Sequence, residues 1–107
     1  MSEKNTLYDN LRNPVSTIER GQQIPSGLNK LSVHVWIVND AGEYLLQQRM
    51  GTAKKFPNMW GQTGGGAIAG ESSWNACVRE TVEELGLTPD PKKSVLVGTI
   101  KRPMDFV

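Results

Sequence analysis

The sequence predicts an α/β (α+β) fold in which one amphipathic helix packs against a mixed β-sheet. Residues 32–39 and 94–100 are rich in β-branched side chains, a composition typical of strands. Between these runs, the apolar residues of segment 72–85 recur with helical spacing. The chain has 107 residues, which is enough for one domain with a small core.

The first part of the chain, residues 1–29, is polar and carries turn-forming sequences such as Asn13-Pro14 and Pro25-Ser26-Gly27. We predict a lead-in segment here, in the form of a short hairpin that packs on the core. The main domain is then expected to span residues 30–107.

The strand predicted at residues 32–39 is apolar at nearly every position, which indicates that both of its faces are covered. A turn at residues 39–42 leads into a second predicted strand at residues 44–49, and the two strands are expected to form a hairpin. A loop follows, and the helix comes after it. Residues 94–100 predict a third strand, and residues 104–107 have the composition of the start of another.

The helix predicted at residues 72–85 has recognisable signals at both ends. Ser72 or Ser73 can cap its N-terminus, and Gly86 can adopt the left-handed conformation that ends a helix. The apolar residues of the helix form one stripe, which we expect to be buried. The stripe consists of Trp74, Val78, Thr81, Val82 and Leu85.

The composition argues against several classes of protein. A net charge of +1 does not suit binding to a nucleic-acid polymer. The single cysteine, Cys77, cannot form an internal disulfide, which is typical of a reducing compartment. No apolar run is long enough for a membrane span, and the N-terminus has no signal-peptide pattern. We therefore expect a cytoplasmic protein with no membrane partner.

Three glutamates are crowded near the C-terminal end of the predicted helix. Glu80, Glu83 and Glu84 are spaced i, i+3 and i+4, so their side chains are neighbours on the helix surface. Their mutual repulsion and the helix dipole both disfavour negative charge at this end. A solvated acidic face is one interpretation. The other is a site for a hard divalent cation, Mg²⁺ or Mn²⁺, with Arg79 orienting one of the acids.

A glycine-rich turn, Gly64-Gly65-Gly66, stands just before this acidic helix. Such a turn is most often a flexible loop. Its backbone can also approach a ligand closely, because carbonyl groups bind cations and amide groups bind phosphate. Its position beside the acids favours the cation-site interpretation.

The segment 65–87 resembles the Nudix box, G-x5-E-x7-R-E-U-x-E-E-x-G-U, in which U is a bulky aliphatic residue. The matching residues are Gly65, Glu71, Arg79, Glu80, Glu83, Glu84, Gly86 and Leu87. Thr81 departs from the pattern at the first U position, but its β-branched side chain suits a packed site. Residues 32–39, 46–49 and 54–60 are in addition similar to the Nudix branch related to isopentenyl-diphosphate isomerase.

The resemblance implies a Nudix-type α/β/α sandwich and a Mg²⁺- or Mn²⁺-dependent enzyme. Its expected partner is a small molecule, a nucleoside diphosphate linked to another group, whose phosphoanhydride is cleaved by metal-activated water. Arg49, Gly65 and Gly66 are candidate contacts for the substrate's phosphates. The lysines at residues 54 and 55 are more simply read as surface charge.

The residues that match the box are expected to have the roles that the family gives to those positions. Glu80 and Glu84 would be the main metal ligands, and Glu83 a further ligand or a supporting acid. A backbone carbonyl of Gly64 or Gly65 would complete the metal site. Glu71 and Arg79 would brace the loop and the helix, so that these two and the three helix glutamates make up the catalytic set. The resemblance leaves open which glutamate is the general base.

Two other functions compete with hydrolysis. The isomerases of the related branch use a cysteine in the loop before the helix, and residues 61–70 contain none. Lys30 stands where those isomerases have a metal-binding histidine. A non-catalytic Nudix-like binding module is the second alternative, but such modules usually lose the acids that this chain keeps.

The length of the chain adds a further expectation, because Nudix domains are normally longer. We expect a C-terminally incomplete domain that is a truncated form, an inactive fragment, or a homodimer that completes the sheet in trans. Without further cover, the helix would leave apolar surface exposed.

Overall fold

A computed structural model describes residues 3–100 of the chain. It contains seven short strands, one α-helix and one 3₁₀-helix within that range. In chain order these are β1 (Lys4–Tyr8), β2 (Pro14–Glu19), β3 (Asn29–Lys30), β4 (Ser32–Val35), β5 (Gln47–Gln48), β6 (Trp60–Gly61), β7 (Thr63–Gly66), α1 (Ser73–Leu85) and the 3₁₀-helix Pro91–Lys93.

The strands form three small sheets, with the orders β2-β1-β3, β4-β7 and β5-β6. Each of these strand pairs is antiparallel. Helix α1 packs on β7 and β4. The predicted α+β class is confirmed, and one helix on a sheet is consistent with a Nudix-type sandwich. The predicted mixed sheet is wrong for residues 3–100, whose strands form three separate antiparallel sheets. No helix within residues 3–100 combines the length and apolar character that a bilayer crossing requires.

The lead-in segment folds into a hairpin of β1 and β2, in which Lys4 faces Glu19 and Thr6 faces Thr17. Its turn is tied by the Asp9 carboxylate, which accepts hydrogen bonds from the backbone N–H groups of residues 11 and 13, both at 2.9 Å. Strand β1 also pairs with β3, so the hairpin joins the chain that leads into β4. The domain boundary at residue 30 stays a prediction.

The strand predicted at residues 32–39 is shorter than expected and is covered on one face only. The regular part ends at Val35, and burial alternates along the run: Val33 is 7% exposed, whereas Trp36 and Val38 are 57% and 55% exposed. The expectation that both faces are covered is therefore wrong for the described residues. The physical reason is that α1 packs against one face, while no second described element covers the other.

The hairpin predicted between residues 32–39 and 44–49 is only partly present. The turn exists: the Asn39 side chain accepts from the N–H groups of Ala41 and Glu43, and Gly42 has a positive φ of 80°. Beyond it, pairing is limited to a bridge between Val38 and Tyr44. The second arm then turns away, and β5 pairs with β6 instead.

The helix prediction is confirmed at both ends. The Ser72 hydroxyl accepts a hydrogen bond from the N–H of Asn75 at 3.1 Å, which caps the N-terminus. Gly86 has φ 69° and donates its N–H to the carbonyl of Val82, so it forms the left-handed end of the helix.

The buried face of α1 differs from the predicted stripe. Ala76 and Thr81 are 0% and 1% exposed, whereas Trp74 and Val82 are 38% and 44% exposed. Thr81 of the predicted stripe is thus buried as expected, whereas Trp74 and Val82 stay exposed. Ala76, which lies outside the stripe, packs with Val33 and Ala67. The buried hydrophobic cluster is correspondingly small: Val33, Ala67 and Ala76, with Leu31 and Cys77 packed against it.

The third strand predicted at residues 94–100 is wrong. This segment has no regular secondary structure. Its apolar side chains, Val95, Leu96, Val97 and Ile100, are 79–93% exposed. A β-rich composition forms a strand only beside an edge that takes its backbone hydrogen bonds, and no described strand lies alongside. The strand predicted at residues 104–107 falls outside the described residues.

Candidate functional site

The glycine-rich strand β7 and the acidic side of α1 lie against each other. At each of the two central glycines, a side chain would clash with a different neighbouring group. A Cβ on Gly64 would stand 2.1 Å from the carbonyl oxygen of Val33 in the paired strand. A Cβ on Gly65 would stand 2.6 Å from Oε1 of Glu80. Gly64 therefore permits the strand pairing, and Gly65 leaves room for a carboxylate.

The guanidinium of Arg79 is the centre of the network that joins the loop to the helix. It makes a two-pronged ion pair with Glu71, with Nε to Oε2 at 2.8 Å and Nη2 to Oε1 at 3.0 Å. Nη2 also donates to the carbonyl of Gly66 at 3.0 Å. Such bidentate geometry is specific to arginine. The braced loop and helix implied by the box resemblance are thus present as contacts.

Arg79 also contacts two acids of its own helix. Nη1 donates to Oε1 of Glu80 at 3.0 Å and to Oε2 of Glu83 at 3.3 Å. The side chains of Arg79, Glu71 and Glu80 are 20%, 14% and 15% exposed, so the ion pairs among them are largely shielded from solvent. Glu83 is 57% exposed and lies at the rim of the network.

Glu80 and Glu84 bring two carboxylates together beside the glycine strand. Burial raises the pKa of Glu80; the Arg79 guanidinium opposes this, and the charge and hydrogen bond of Glu84 raise it further. Two neighbouring carboxylates repel each other unless a positive charge lies between them. The pair is therefore a candidate location for a cation.

Glu84 is itself oriented from both sides. Its Oε1 accepts from the backbone N–H of Gly64 at 3.2 Å, and its Oε2 accepts from the side-chain amide of Gln47. Gly64 thus contacts the site through its N–H group, whereas we predicted a metal ligand in its carbonyl. Whether the carbonyl binds a metal stays a prediction.

The structure brings some of the predicted site residues together and separates others. Glu80 and Glu84 meet as a pair, while Glu71 and Glu83 are held on the guanidinium of Arg79. Within residues 3–100, no three histidine, cysteine or acidic side chains converge as a ready-made metal cluster.

The three residues predicted to contact the substrate make contacts within the chain itself. Arg49 donates through Nε to the carbonyl of Lys55 at 2.7 Å and so closes the loop between β5 and β6. The carbonyl of Gly66 accepts from Arg79, and Gly65 packs against Glu80. These contacts do not test phosphate binding by the three residues, which stays a prediction.

Sequence reasoning missed Gln47, which orients Glu84 from a different strand. A glutamine in a polar stretch carries no signal of its own. Its role follows from the pairing of β5 with β6, which places it opposite Gly61, near the start of the glycine strand.

The donor set fits a hard divalent cation. Glu80 and Glu84, at i and i+4, are neighbours on the helix, and burial of Glu80 together with the nearby charge of Glu84 raises the pKa of Glu80. Glu80 and Glu84 are the residues that would hold the ion, with Glu83 one helical position away. Oxygen ligands of this type suit Mg²⁺ or Mn²⁺.

Comparison with known proteins identifies the family. The NUDIX domain family model matches residues 28–104. An uncharacterized Nudix hydrolase of Listeria innocua is 38% identical over 91 residues, covering 84% of this chain and 54% of the relative. A counterpart in Listeria monocytogenes is 36% identical with the same coverage. One in Streptomyces coelicolor is 34% identical over 83 residues, covering 77% of this chain and 46% of the relative.

The chain spans about half the length of the curated relatives it matches. No solved structure matches it significantly. The similarity to the isomerase-related branch is not shown by these relatives and stays a prediction. The family match over more than half of the chain shows that this chain belongs to the Nudix family.

Proposed function

We propose that the chain carries the metal-binding part of a Nudix pyrophosphohydrolase. Its substrate class is a nucleoside diphosphate linked to another group, and Mg²⁺ or Mn²⁺ is its cofactor. The observation that carries the proposal is the Glu80–Glu84 carboxyl pair, held against Gly65 and beside Arg79. Two neighbouring carboxylates, of which Glu80 is only 15% exposed, disfavour folding through their mutual repulsion, whereas a bound cation would offset that repulsion.

The roles of the chain's own residues follow from their contacts. Glu80 and Glu84 would hold the cation, which when bound supplies polarisation of the phosphoryl group. Arg79 orients Glu80, and Glu71 holds Arg79 in place through its two-pronged ion pair. Gln47 and the N–H of Gly64 fix the direction of the Glu84 carboxylate. Glu83, at the exposed rim, is available as a further ligand or as a supporting acid.

The alternatives gain no support. No cysteine occurs in residues 61–70, and Lys30 lies in β3, so the features expected of the isomerase are absent from these positions. The four acids of a catalytic box are all retained, which does not favour a binding module. We also propose a reducing, cytoplasmic location, on the ground of the single cysteine.

The test is metal-dependent hydrolysis of a panel of nucleoside diphosphates linked to a sugar, to a second nucleoside or to a further phosphate. Products are separated by ion-exchange chromatography with Mg²⁺, with Mn²⁺ and with a chelator. We expect at least one substrate to be cleaved at its phosphoanhydride with either metal and none with the chelator. Glu80→Gln and Glu84→Gln should each abolish the cleavage.

Glu19→Gln is the matched control, because it removes one negative charge from an exposed position of β2. It should cleave the panel as the unmodified chain does. Turnover that persists in both Glu80→Gln and Glu84→Gln would contradict the metal assignment. Absence of metal-dependent cleavage across the whole panel would contradict the proposed activity for this chain.

A further inference from the structure

Strand β1 of the N-terminal hairpin is joined to the loop that precedes α1 by three hydrogen bonds. This strand lies upstream of residues 28–104, the part that matches the family model. The bonded pairs are the Ala69 N–H to the Lys4 carbonyl at 2.8 Å, the Asn5 Nδ2 to the Ala67 carbonyl at 2.7 Å, and the Gly70 N–H to the Thr6 hydroxyl at 2.9 Å. Consecutive residues of one strand thus contact three positions of one short loop.

Two of these bonds come from side chains, and one of the two is deeply buried. Asn5 is 3% exposed, and its Oδ1 has no hydrogen-bond partner among residues 3–100. A buried amide with one unsatisfied oxygen is less favourable for folding than an apolar side chain of similar size. What the amide adds at this position is its bond to the Ala67 carbonyl.

The loop that β1 contacts is the same loop that holds the Arg79 network. Gly66, whose carbonyl accepts from Arg79, directly precedes Ala67. The N–H of Ile68 donates to the Glu71 carboxylate at 2.9 Å, and that carboxylate holds Arg79 from the other side. A shift of the loop backbone would therefore move both anchors of Arg79, and with them the Arg79–Glu80 contact.

We propose that Asn5 and Thr6 are positioning residues, through which the N-terminal hairpin holds the loop 67–71 and so sets the geometry of the candidate metal site. They act through the loop, Glu71 and Arg79, at a distance from the reacting atoms. The link to metal binding and turnover rests on the proposed function; the bracing of the loop does not. Without the hairpin's bonds, the loop keeps its ties to Leu31 and within the turn at residues 68–71, so we expect displacement rather than unfolding.

Thr6→Val is the most informative variant, because it removes the hydroxyl and keeps a β-branched side chain that suits a strand. Thr17→Val is its matched control, since Thr17 faces Thr6 across the hairpin and lies at an exposed position. Thr6→Ser should restore the bond to Gly70. Asn5→Leu tests the contribution of the second side chain. If this substitution at a buried position prevents folding, Thr6→Val alone still tests the proposal.

Three readouts separate positioning from general stability. Backbone amide exchange of residues 67–71 should be several-fold faster in Thr6→Val, with the melting temperature close to that of the unmodified chain. Mn²⁺ affinity, measured by electron paramagnetic resonance, should fall roughly tenfold, the lower end of the loss seen when supporting partners of metal ligands are removed. For a substrate found active, kcat should fall with KM little changed. Thr17→Val and Thr6→Ser should match the unmodified chain.

Some outcomes would overturn the proposal, and they differ from failure of the proposed function. If Thr6→Val exchanges its loop amides and binds Mn²⁺ as Thr17→Val does, the hairpin is only a scaffold and the proposal is wrong. If the unmodified chain neither binds Mn²⁺ nor cleaves any substrate, the proposed function fails. In that case the amide exchange rates still test whether the hairpin holds the loop 67–71. Equal rates in Thr6→Val and Thr17→Val would show that it does not.

Discussion

The carboxylate of Glu80 lies against the backbone of Gly65, so closely that a Cβ at residue 65 would stand 2.6 Å from Oε1. The neighbouring glycine has a different constraint, because a Cβ at Gly64 would meet the Val33 carbonyl oxygen at 2.1 Å. One obstacle is the end of a flexible side chain, and the other is the backbone of a paired strand. The two glycines therefore serve the site and the fold respectively.

Gly65→Ala should separate metal binding from stability. The new methyl group displaces the end of the Glu80 side chain, which can rotate away, so the melting temperature should change little. Mn²⁺ affinity should fall at least about tenfold, as expected when a metal ligand loses its position. Gly64→Ala should instead lose about 3 kcal/mol of unfolding free energy, the upper end for overpacking, because the backbone of β4 must move. Urea denaturation and a Mn²⁺ titration on both variants check this; equal stability losses would contradict it.

The Glu71–Arg79 ion pair predicts a definite pH dependence of stability. The hydrogen-bonded guanidinium of Arg79 holds the pKa of Glu71 below its ordinary value of 4.5, against the opposing effect of burial. Folding therefore favours the ionised carboxylate. This contribution is fully present above pH 4.5 and is lost as the pH falls through the lowered pKa of the folded state.

Glu71→Gln removes this titration. In a chelator-treated sample, urea denaturation from about pH 7 to about pH 3 should show that the unmodified chain loses more unfolding free energy on acidification than the variant. Glu19→Gln is the control and should follow the unmodified chain. Parallel pH curves for Glu71→Gln and the unmodified chain would contradict the assignment.

Thr81, the residue that departs from the box pattern, is fully buried, and its hydroxyl makes a hydrogen bond within the helix. It is 1% exposed, and Oγ1 donates to the carbonyl of Cys77 at 2.7 Å. Thr81→Val replaces the hydroxyl with a methyl group, so no hydrogen-bond donor is left unpaired, and the Cys77 carbonyl keeps its helical hydrogen bond. The unfolding free energy should therefore change by less than about 1 kcal/mol. Thr81→Leu should cost about 1–3 kcal/mol through overpacking. Val82→Leu, at an exposed position of the same helix, is the control for both, and denaturation curves provide the measurement.

The exposed outer stripe of α1 allows a test of the homodimer, which is one of the three outcomes expected from the length of the chain. Trp74 and Val82 are 38% and 44% exposed, and apolar surface of this kind is commonly buried by a partner. Size-exclusion chromatography with light scattering should give about twice the monomer mass of 11.8 kDa. The double variant Trp74→Lys with Val82→Lys should be monomeric, and Leu11→Lys in the hairpin turn should remain dimeric. A stable monomer of the unmodified chain would contradict the homodimer.

The predictions from the sequence were most accurate for features that depend on residues close together in the chain. The caps of α1 at Ser72 and Gly86 depend on hydrogen bonds within a few residues, and both are confirmed. The Glu71–Arg79 contact spans eight residues, and the box resemblance implied it in advance. The structure contains this contact as a two-pronged ion pair.

The errors concern features that depend on distant partners. The segment 94–100 has the composition of a strand but lies beside no described edge. The apolar stripe of α1 was assigned to the core, and its Thr81 is buried, but Trp74 and Val82 are exposed and Ala76, outside the stripe, is buried. The contribution of Gln47 and of the hairpin to the site depends on strand register, which composition does not reveal.

The central claim is that Glu80 and Glu84 together form a divalent-metal site. The most direct measurement is a Mn²⁺ titration of the unmodified chain, Glu80→Gln, Glu84→Gln and Glu19→Gln, followed by electron paramagnetic resonance. The account predicts saturable binding in the unmodified chain and in Glu19→Gln, with affinity at least about tenfold lower in each of the other two variants. Affinity in Glu80→Gln and Glu84→Gln equal to that of Glu19→Gln would contradict it.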